Sequence, residues 1–378
     1  MKTKTVLIIF GGKSVEHEVS VSTACQVFKN FDAKKYRLIP IYIDMMGIWW
    51  TGKSLENIKY FKKITAAMNG MRKCKLLQAN KEGNFLEIDY KLIKRKVKFD
   101  IVLPIIHGTN GEDGTIQGML EILNIPYVGC DVFSSAVGMD KVAQKIIFSA
   151  EKIEIIPFKY FWNYEWMKNK NEVIKKIETI KYPLCIKPCN LGSSIGVSIA
   201  NNRKELIRSI EVAIHFDKRI IVERAMTDMK ELNCSVAGYG KETLISVCEQ
   251  PIKTGKILSY DDKYKKGSKN KGLMSLSRLV PAPISRKLQK QIEEWSIRAF
   301  RAIGASGVSR IDYIYDNTSS KIYLNEINTI PGSLSFYLWK KSGLTYSDLL
   351  DKLIDWGFKK YEVKNSQLTV YKNTGFNL

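Results

Sequence analysis

Arg310, Asp312, Glu326 and Asn328 lie in two β-prone runs, SRIDYIYD and KIYLNEIN, joined by the polar turn Asp316 to Ser320. Successive side chains of a strand point to opposite faces, so Arg310 shares a face with Asp312, and Glu326 shares one with Asn328. Paired as a hairpin with an odd number of loop residues, the runs set Glu326 opposite Arg310. A guanidinium, two carboxylates and an amide oxygen then meet in one patch. Oxygen donors of this kind suit magnesium, which takes few protein ligands and completes its octahedron with substrate phosphates. An ion-paired, solvated hairpin face is the commoner fate of such residues. Thr329-Ile330-Pro331-Gly332 follows at once, however, and its turn chemistry can turn backbone N–H groups toward an anion, which weighs toward a site.

A second group of residues suits phosphate. In Gly192-Ser193-Ser194-Ile195-Gly196 the small side chains let backbone N–H groups approach an anion, although the loop has no Gly-Lys-Ser/Thr ending. Lys187 closes an apolar strand and Lys141 follows Asp140; either alone reads as a surface lysine. Beside the loop and the oxygen patch, the two favour a nucleotide. Near the start, GGKSVEHEV lacks the third glycine of a dinucleotide fingerprint. Its Glu16, His17 and Glu18 read either as a charged helix start or as a carboxylate for a substrate amine. His17 and His107 both sit at glycine turns after strands, where α/β proteins bind ligands.

The elements that must hold these residues alternate in type. Thr5 to Phe10 is an apolar strand, Val19 to Phe28 has helical spacing, and Tyr36 to Asp44 and Phe99 to Ile106 are further strands. This pattern predicts a mostly parallel α/β domain through about Gly129, with residues 50–98 as an insertion. Beyond it come helices at 141–151, 171–180 and 203–214, strands at 183–187 and 219–223, and the strand-rich stretch 232–249. A basic loop, a helix at 285–303, the hairpin and a helix at 346–356 complete the chain. Three domains are expected, 1–130, 131–224 and 225–378, with a loosely held end from Val363.

Composition bounds the class. The chain has 378 residues, 45% of them hydrophobic, enough to bury a sizeable core. No apolar run has the length of a signal-peptide core or a bilayer span, so a cytoplasmic protein without a membrane partner is expected. Seven cysteines without zinc spacing read as free thiols. A net charge of +22 raises nucleic-acid binding, but apart from KLIKRKVK at Lys91 to Lys98 and KYKKGSKNK at Lys263 to Lys271 the lysines are dispersed. Solvated faces are favoured.

Six ordered strings carry a resemblance: GGKSVEHEVSVSTA, IHGTNGEDGTIQG, IPYVGCDVFSSAVGMDK, IKPCNLGSSIGV, YDDKY, and SRIDYIY with YLNEINTIPG. From Thr5 to about Trp356 the chain resembles the D-alanine-D-alanine ligases of the ATP-grasp superfamily. The resemblance implies an α/β chain: an N-terminal Rossmann-like parallel-sheet domain, then a two-lobed ATP-grasp fold of α+β character. It implies that ATP phosphorylates the carboxylate of one D-alanine and that the amine of a second attacks the acylphosphate, giving a dipeptide for peptidoglycan.

By the same resemblance, Glu16 holds the first ammonium with His107 nearby, and Ser193 links Glu16 to Tyr264. Lys141, Lys187 and Ser194 contact nucleotide phosphates, Glu223, Arg224, Ala225 and Met226 form the adenine hinge, and Glu231 takes the ribose. Lys263 bridges the γ-phosphate and substrate. Asp312, Glu326 and Asn328 ligate two Mg2+ ions, with Mn2+ as a substitute, while Arg310 and the Gly332 N–H stabilise the tetrahedral oxyanion. Such chemistry needs positioning and charge neutralisation more than covalent help, which these residue types supply. The family suggests a homodimer.

One segment departs. Where the family has a Thr-Ser or His-Ser stretch, this chain reads Ser333-Leu334-Ser335-Phe336-Tyr337-Leu338-Trp339. Ser333 or Ser335 is then left to hold the acceptor carboxylate, and D-serine or another acceptor is the alternative to D-alanine. Tyr264 argues against a D-lactate-using relative, which carries histidine there. A catalytically idle nucleic-acid-binding protein is the alternative from another class, and the complete metal and phosphate set argues against it.

Overall fold

The computed structural model describes residues 3–61, 70–252 and 277–368. Its largest sheet has seven strands in the order Lys94–Phe99, Asn84–Asp89, Arg72–Leu76, Trp49–Thr51, Tyr36–Ile43, Lys4–Gly11 and Ile101–Ile105. Lys4–Gly11 runs parallel to both of its neighbours. Val6 through Phe10 are all fully buried, which is why the run is continuously apolar and does not alternate. The 50–98 insertion supplies antiparallel strands that extend this sheet.

A second, four-stranded sheet is formed by Ser198–Ala200, Leu184–Pro188, Arg219–Arg224 and Phe158–Trp162, and a third by Glu242–Ile245, Met229–Tyr239, Gly307–Asp316 and Lys321–Asn328. Both are antiparallel. Gln250–Pro251 pairs separately with Arg278–Leu279. The helix Tyr346–Asn365 returns to the first sheet, where Leu349, Leu350, Leu353 and Ile354 join the core of Val6, Ile8 and Ile101. It runs past Val363, so the loose end expected from that residue is helical as far as Asn365. The helices Thr115–Ile122 and Val132–Met139 and the strand Phe158–Trp162 are additional to the elements expected from the sequence.

The catalytic-looking hairpin differs in register from the sequence expectation. Arg310 lies opposite Asn328 and Asp312 opposite Glu326, so Glu326 does not face Arg310. Asp316 pairs with Lys321, which leaves four loop residues, an even number. Unmodified, that parity would put Ile327 opposite Arg310. A β-bulge after Asp312 leaves Asn325 as the extra residue and returns Glu326 and Asn328 to the polar face. Ile322, Leu324 and Ile327 are all buried, and this slip in apolar phase is what the bulge absorbs.

His17, one of two histidines at glycine turns, is a core residue. Its Nδ1 meets the Gly12 carbonyl at 2.6 Å and its Nε2 the Tyr42 hydroxyl at 3.0 Å, and the ring is 5% exposed. His17→Leu should therefore cost about 2–4 kcal/mol, since it leaves buried polar atoms without partners. A urea midpoint equal to that of the wild type would refute this structural role.

Candidate active site

The polar face of the hairpin holds a tight charge cluster. Arg310 donates from Nε and from a terminal nitrogen to the two Asp312 oxygens, each at 2.6 Å, and Asn328 Nδ2 donates to Asp312 at 3.0 Å. Lys141 Nζ lies 3.4 Å from Glu326. Burial, aided by the charges of Glu326 and Glu231, pushes the Asp312 carboxyl up to about 6 against the pull of Arg310. For Glu326 burial also works against ionisation, but Lys141, Lys187 and Arg310 outweigh it and hold the carboxyl below its usual range. Two carboxylates and an amide oxygen fit a hard cation. Among the described residues no three His, Cys, Asp or Glu side chains form a closed metal cluster, so such an ion must draw further oxygens from phosphate and water.

The nucleotide-side residues converge from the second sheet and the helix Lys141–Ala150. Asp140 caps that helix, accepting from the Val142 and Ala143 N–H groups at 2.9 and 2.8 Å, and is itself clamped by Arg219 at 2.8 Å. Lys141 is thus fixed at the first turn, with Nζ donating to the Leu191 carbonyl at 2.8 Å at the edge of the Gly192–Gly196 loop. Lys187 reaches Glu223 at 2.5 Å and Asn325, the bulge residue, at 3.4 Å. Lys145, which sequence reasoning passed over, contacts the other Glu223 oxygen at 2.6 Å and is 1% exposed. Burial opposes the Glu223 charge, yet these two lysines hold its pKa down to about 2. Lys145 alternates with Val142 and Phe148 among the buried positions of its helix, so nothing in the pattern marked it as polar core. Past Glu223 the chain leaves the strand: Arg224 is exposed, Ala225 donates its N–H to the Pro183 carbonyl at 2.9 Å, and Met226 and Glu231 are half-buried.

On the side of the first sheet, Glu16 stands at the start of the helix His17–Asn30 but makes no side-chain cap. Its carboxylate instead accepts the Ser193 hydroxyl across 177 residues of sequence. Ser193 and Ser194 are both exposed and left-handed, with φ of 52° and 57°. Glycines admit the Glu16 carboxylate to this corner: a Cβ on Gly192 or Gly108 would lie 2.7 or 2.9 Å from Glu16 Oε2. Glu112, a second residue that sequence reasoning missed, accepts the Gly108 N–H at 2.8 Å and the Ile330 N–H at 3.1 Å. Burial and the neighbouring Glu16 charge push its carboxyl up to about 8. Two carboxylates this close form a place where an arriving ammonium would be stabilised.

His107 is buried 3.1 Å from Thr23 Oγ1, and Thr23 accepts the Ser333 N–H at 3.0 Å. Gly332 opens the turn, and Ser333, Leu334 and Ser335 are all left-handed, with φ between 50° and 54°. Three such residues in succession are strained. Ser335 is fully buried and its hydroxyl has no hydrogen-bond partner among the described residues. The structure therefore brings Glu16, Ser193, His107, Gly332 and Ser333 to one side of the cluster and Lys141, Lys187, Glu223, Arg310, Asp312, Glu326 and Asn328 to the other. Lys263 and Tyr264 lie outside the described residues.

A buried lysine-carboxylate cluster between the second sheet and the carboxylate-lined hairpin of the third, approached from the first-sheet side by Glu16, is the arrangement of an ATP-grasp enzyme. Family models described as the D-ala D-ala ligase N-terminus and C-terminus match residues 5–130 and 147–355, and the chain belongs to that family. It is 40% identical over 358 residues to a D-alanine--D-alanine ligase of Thermosipho melanesiensis, covering 94% of each chain. It is 36% identical over 375 residues to one of Heliobacterium modesticaldum, covering 98% of each. Among solved structures it resembles the VanG D-Ala:D-Ser ligase of Enterococcus faecalis at a TM-score of 0.79 and 33% identity, covering 94% of this chain and 100% of that one. A D-alanine-D-alanine ligase of Coxiella burnetii matches at 0.78 and 26%, covering 96% and 98%.

Burial drives the His107 pKa down to about 4, with the Arg310 charge adding to the shift and a backbone hydrogen bond to Ile330 opposing it. The ring is neutral in the folded state near pH 7. Because the unfolded state takes up a proton near 6.5, stability from this group is complete above that pH and falls as pH drops toward 4. The loss amounts to about 3 kcal/mol. His107→Gln should show a shallower decline in unfolding free energy from pH 7 to 4; parallel curves would show that the ring is not held neutral.

Proposed function

We propose that the chain uses ATP to join two D-alanines into D-alanyl-D-alanine for peptidoglycan. The observation that carries this reading is the placement of Glu16 and the Glu326 cluster on either side of the Gly192–Gly196 loop, so that an amino acid anchored at Glu16 extends toward a phosphate-binding group of lysines. Glu16, with Glu112 behind it, takes the first ammonium. Lys141 and Lys187 neutralise phosphate oxygens, Ser194 and its loop face the same anion, and the 223–226 segment with Glu231 takes the nucleoside.

Asp312, Glu326 and Asn328 would hold two magnesium ions, or manganese, which supply charge neutralisation for the transferring phosphoryl group. Arg310 and the Gly332 N–H face the carbon at which the second amine adds, where donors aimed at a developing oxyanion lower the barrier. Lys263 and Tyr264 would complete the substrate side, and Ser333 or Ser335 the acceptor side. We assign residues 1–130, 131–224 and 225–378 to three domains and infer a cytoplasmic homodimer that binds no nucleic acid. Among the described residues no helix is long and apolar enough to cross a membrane.

ADP release should require both D-alanine and magnesium. Glu326→Gln removes one charge from the ligand set and should lower turnover by about a hundredfold or more. Wild-type turnover by the variant at saturating magnesium would remove Glu326 from the metal set.

A further inference from the structure

Glu249 is a buried carboxylate that the reading above leaves without a role. It is 2% exposed, and three segments aim donors at it. Asn233 Nδ2 donates to its Oε1 at 3.0 Å, the Tyr337 hydroxyl donates to the same oxygen at 2.7 Å, and Arg278 lies 3.4 Å from Oε2. The Arg278 guanidinium also stacks over the Tyr337 ring at 4.2 Å. Ring, guanidinium and carboxylate therefore fix one another.

The position of this trio in the sheet is what gives it meaning. Glu249 and Asn233 exchange backbone hydrogen bonds at 2.9 and 2.8 Å, Asn233 lies opposite Asp312, and Asp312 opposite Glu326. Cross-strand partners share a face, so Asn233, Asp312 and Glu326 form one polar row across three strands, which the bridge from Asn233 to Glu249 extends by one residue. Its Glu326 end faces Lys141 and the nucleotide side. Its Glu249 end carries Tyr337, two residues beyond the strained 333–335 turn, in the segment where the chain departs from the family pattern. Arg310, between the ends, feels the charge of Glu249 as well as that of Asp312.

We propose that Glu249 is a positioning residue for the acceptor amino acid, and that the Tyr337 ring and hydroxyl it fixes with Arg278 form the specificity-determining wall of the acceptor pocket beside Arg310. This rests on the ligase reading. A purely structural staple would use the same contacts, so the two roles are separated by which constant moves. The hydroxyl of Tyr337 is a donor to a charged acceptor, a bond whose loss is felt without any change in ring packing. Loss of the hydroxyl frees the ring on the acceptor side alone, because Glu16, Glu112 and the lysines are held by other bonds.

The experiment compares full-length wild type with Tyr337→Phe and Glu249→Gln in steady-state ligation, resolving the Michaelis constants for the first and second D-alanine and for ATP. The second constant should rise about tenfold or more in each variant, as expected for a lost hydrogen bond to a charged group, with the other two unchanged. In equimolar D-alanine and D-serine the ratio of the two dipeptides should also shift, and ADP released per dipeptide should increase. If both D-alanine constants rise together, or if only the unfolding temperature falls, the acceptor role is overturned. Should Glu249→Gln fail to fold, Tyr337→Phe decides alone. A wild type that makes no dipeptide would refute the ligase reading itself, whereas an active wild type with indifferent variants refutes only this inference.

Discussion

Everything in the site depends on how the three sheets are tied, and the Glu112 carboxylate makes the tie that sets the scale. It is held by Gly108 on the loop after the first sheet and by Ile330 on the exit of the 307–328 hairpin, 218 residues later in the chain. Ser333 to Thr23 repeats the link a few residues on, and the Gln144 side chain accepts the Ile327 N–H at 2.9 Å to bind the hairpin to the nucleotide-side helix. These are bonds from side chains to backbone, so they fix the position of a segment rather than of one rotamer. Burying a carboxyl group to make such bonds costs stability unless every donor is in place, which makes the tie intolerant of misalignment.

The charge arrangement follows from that docking. Glu223 sits between Lys145 and Lys187, and Glu326 opposite Lys141, so each buried cation near the nucleotide side already has an acidic partner. Pairing opposes the neutralisation that isolated burial would impose: burial and the Lys187 charge lower Lys145, while Glu223 pulls it back up. On the proposed reading, a polyphosphate arriving beside Lys187 would compete with Glu223 for the same ammonium. The contacts of Lys187 with Glu223 and Asn325 hold the ammonium in place without that anion.

How much of this was legible follows the range of the interactions. Period-two alternation was enough to put Arg310 with Asp312 and Glu326 with Asn328, because that property is local. Their mutual register was not, since it turns on one extra residue at Asn325. The slip from Ile322 and Leu324 to Ile327 was the available signal, because apolar residues at an even and then an odd position cannot share a face without a bulge. Glu112, Lys145 and Glu249 were silent for another reason. Each is a charged residue in an ordinary polar or helical context, and only partners far away in sequence show that it is buried. His17 failed in the opposite direction: its place after a glycine turn suggested ligand binding, whereas the Tyr42 hydroxyl from the next strand makes it a core residue.

The surplus of positive charge is a property of the surface. Near the candidate nucleotide side the cations are matched almost one for one by Glu223, Glu326, Asp312 and Asp140, while exposed lysines such as those of Lys94–Phe99 lie along the outer strand of the first sheet. An edge strand presents unpaired backbone groups, and a row of lysines there discourages pairing with another chain. Exposed charges more than a Debye length of about 8 Å from a ligand at physiological ionic strength act on it only as a weak background attraction. The charges that would select a substrate on the proposed reading are the few that are buried and paired, where the low dielectric strengthens each contact.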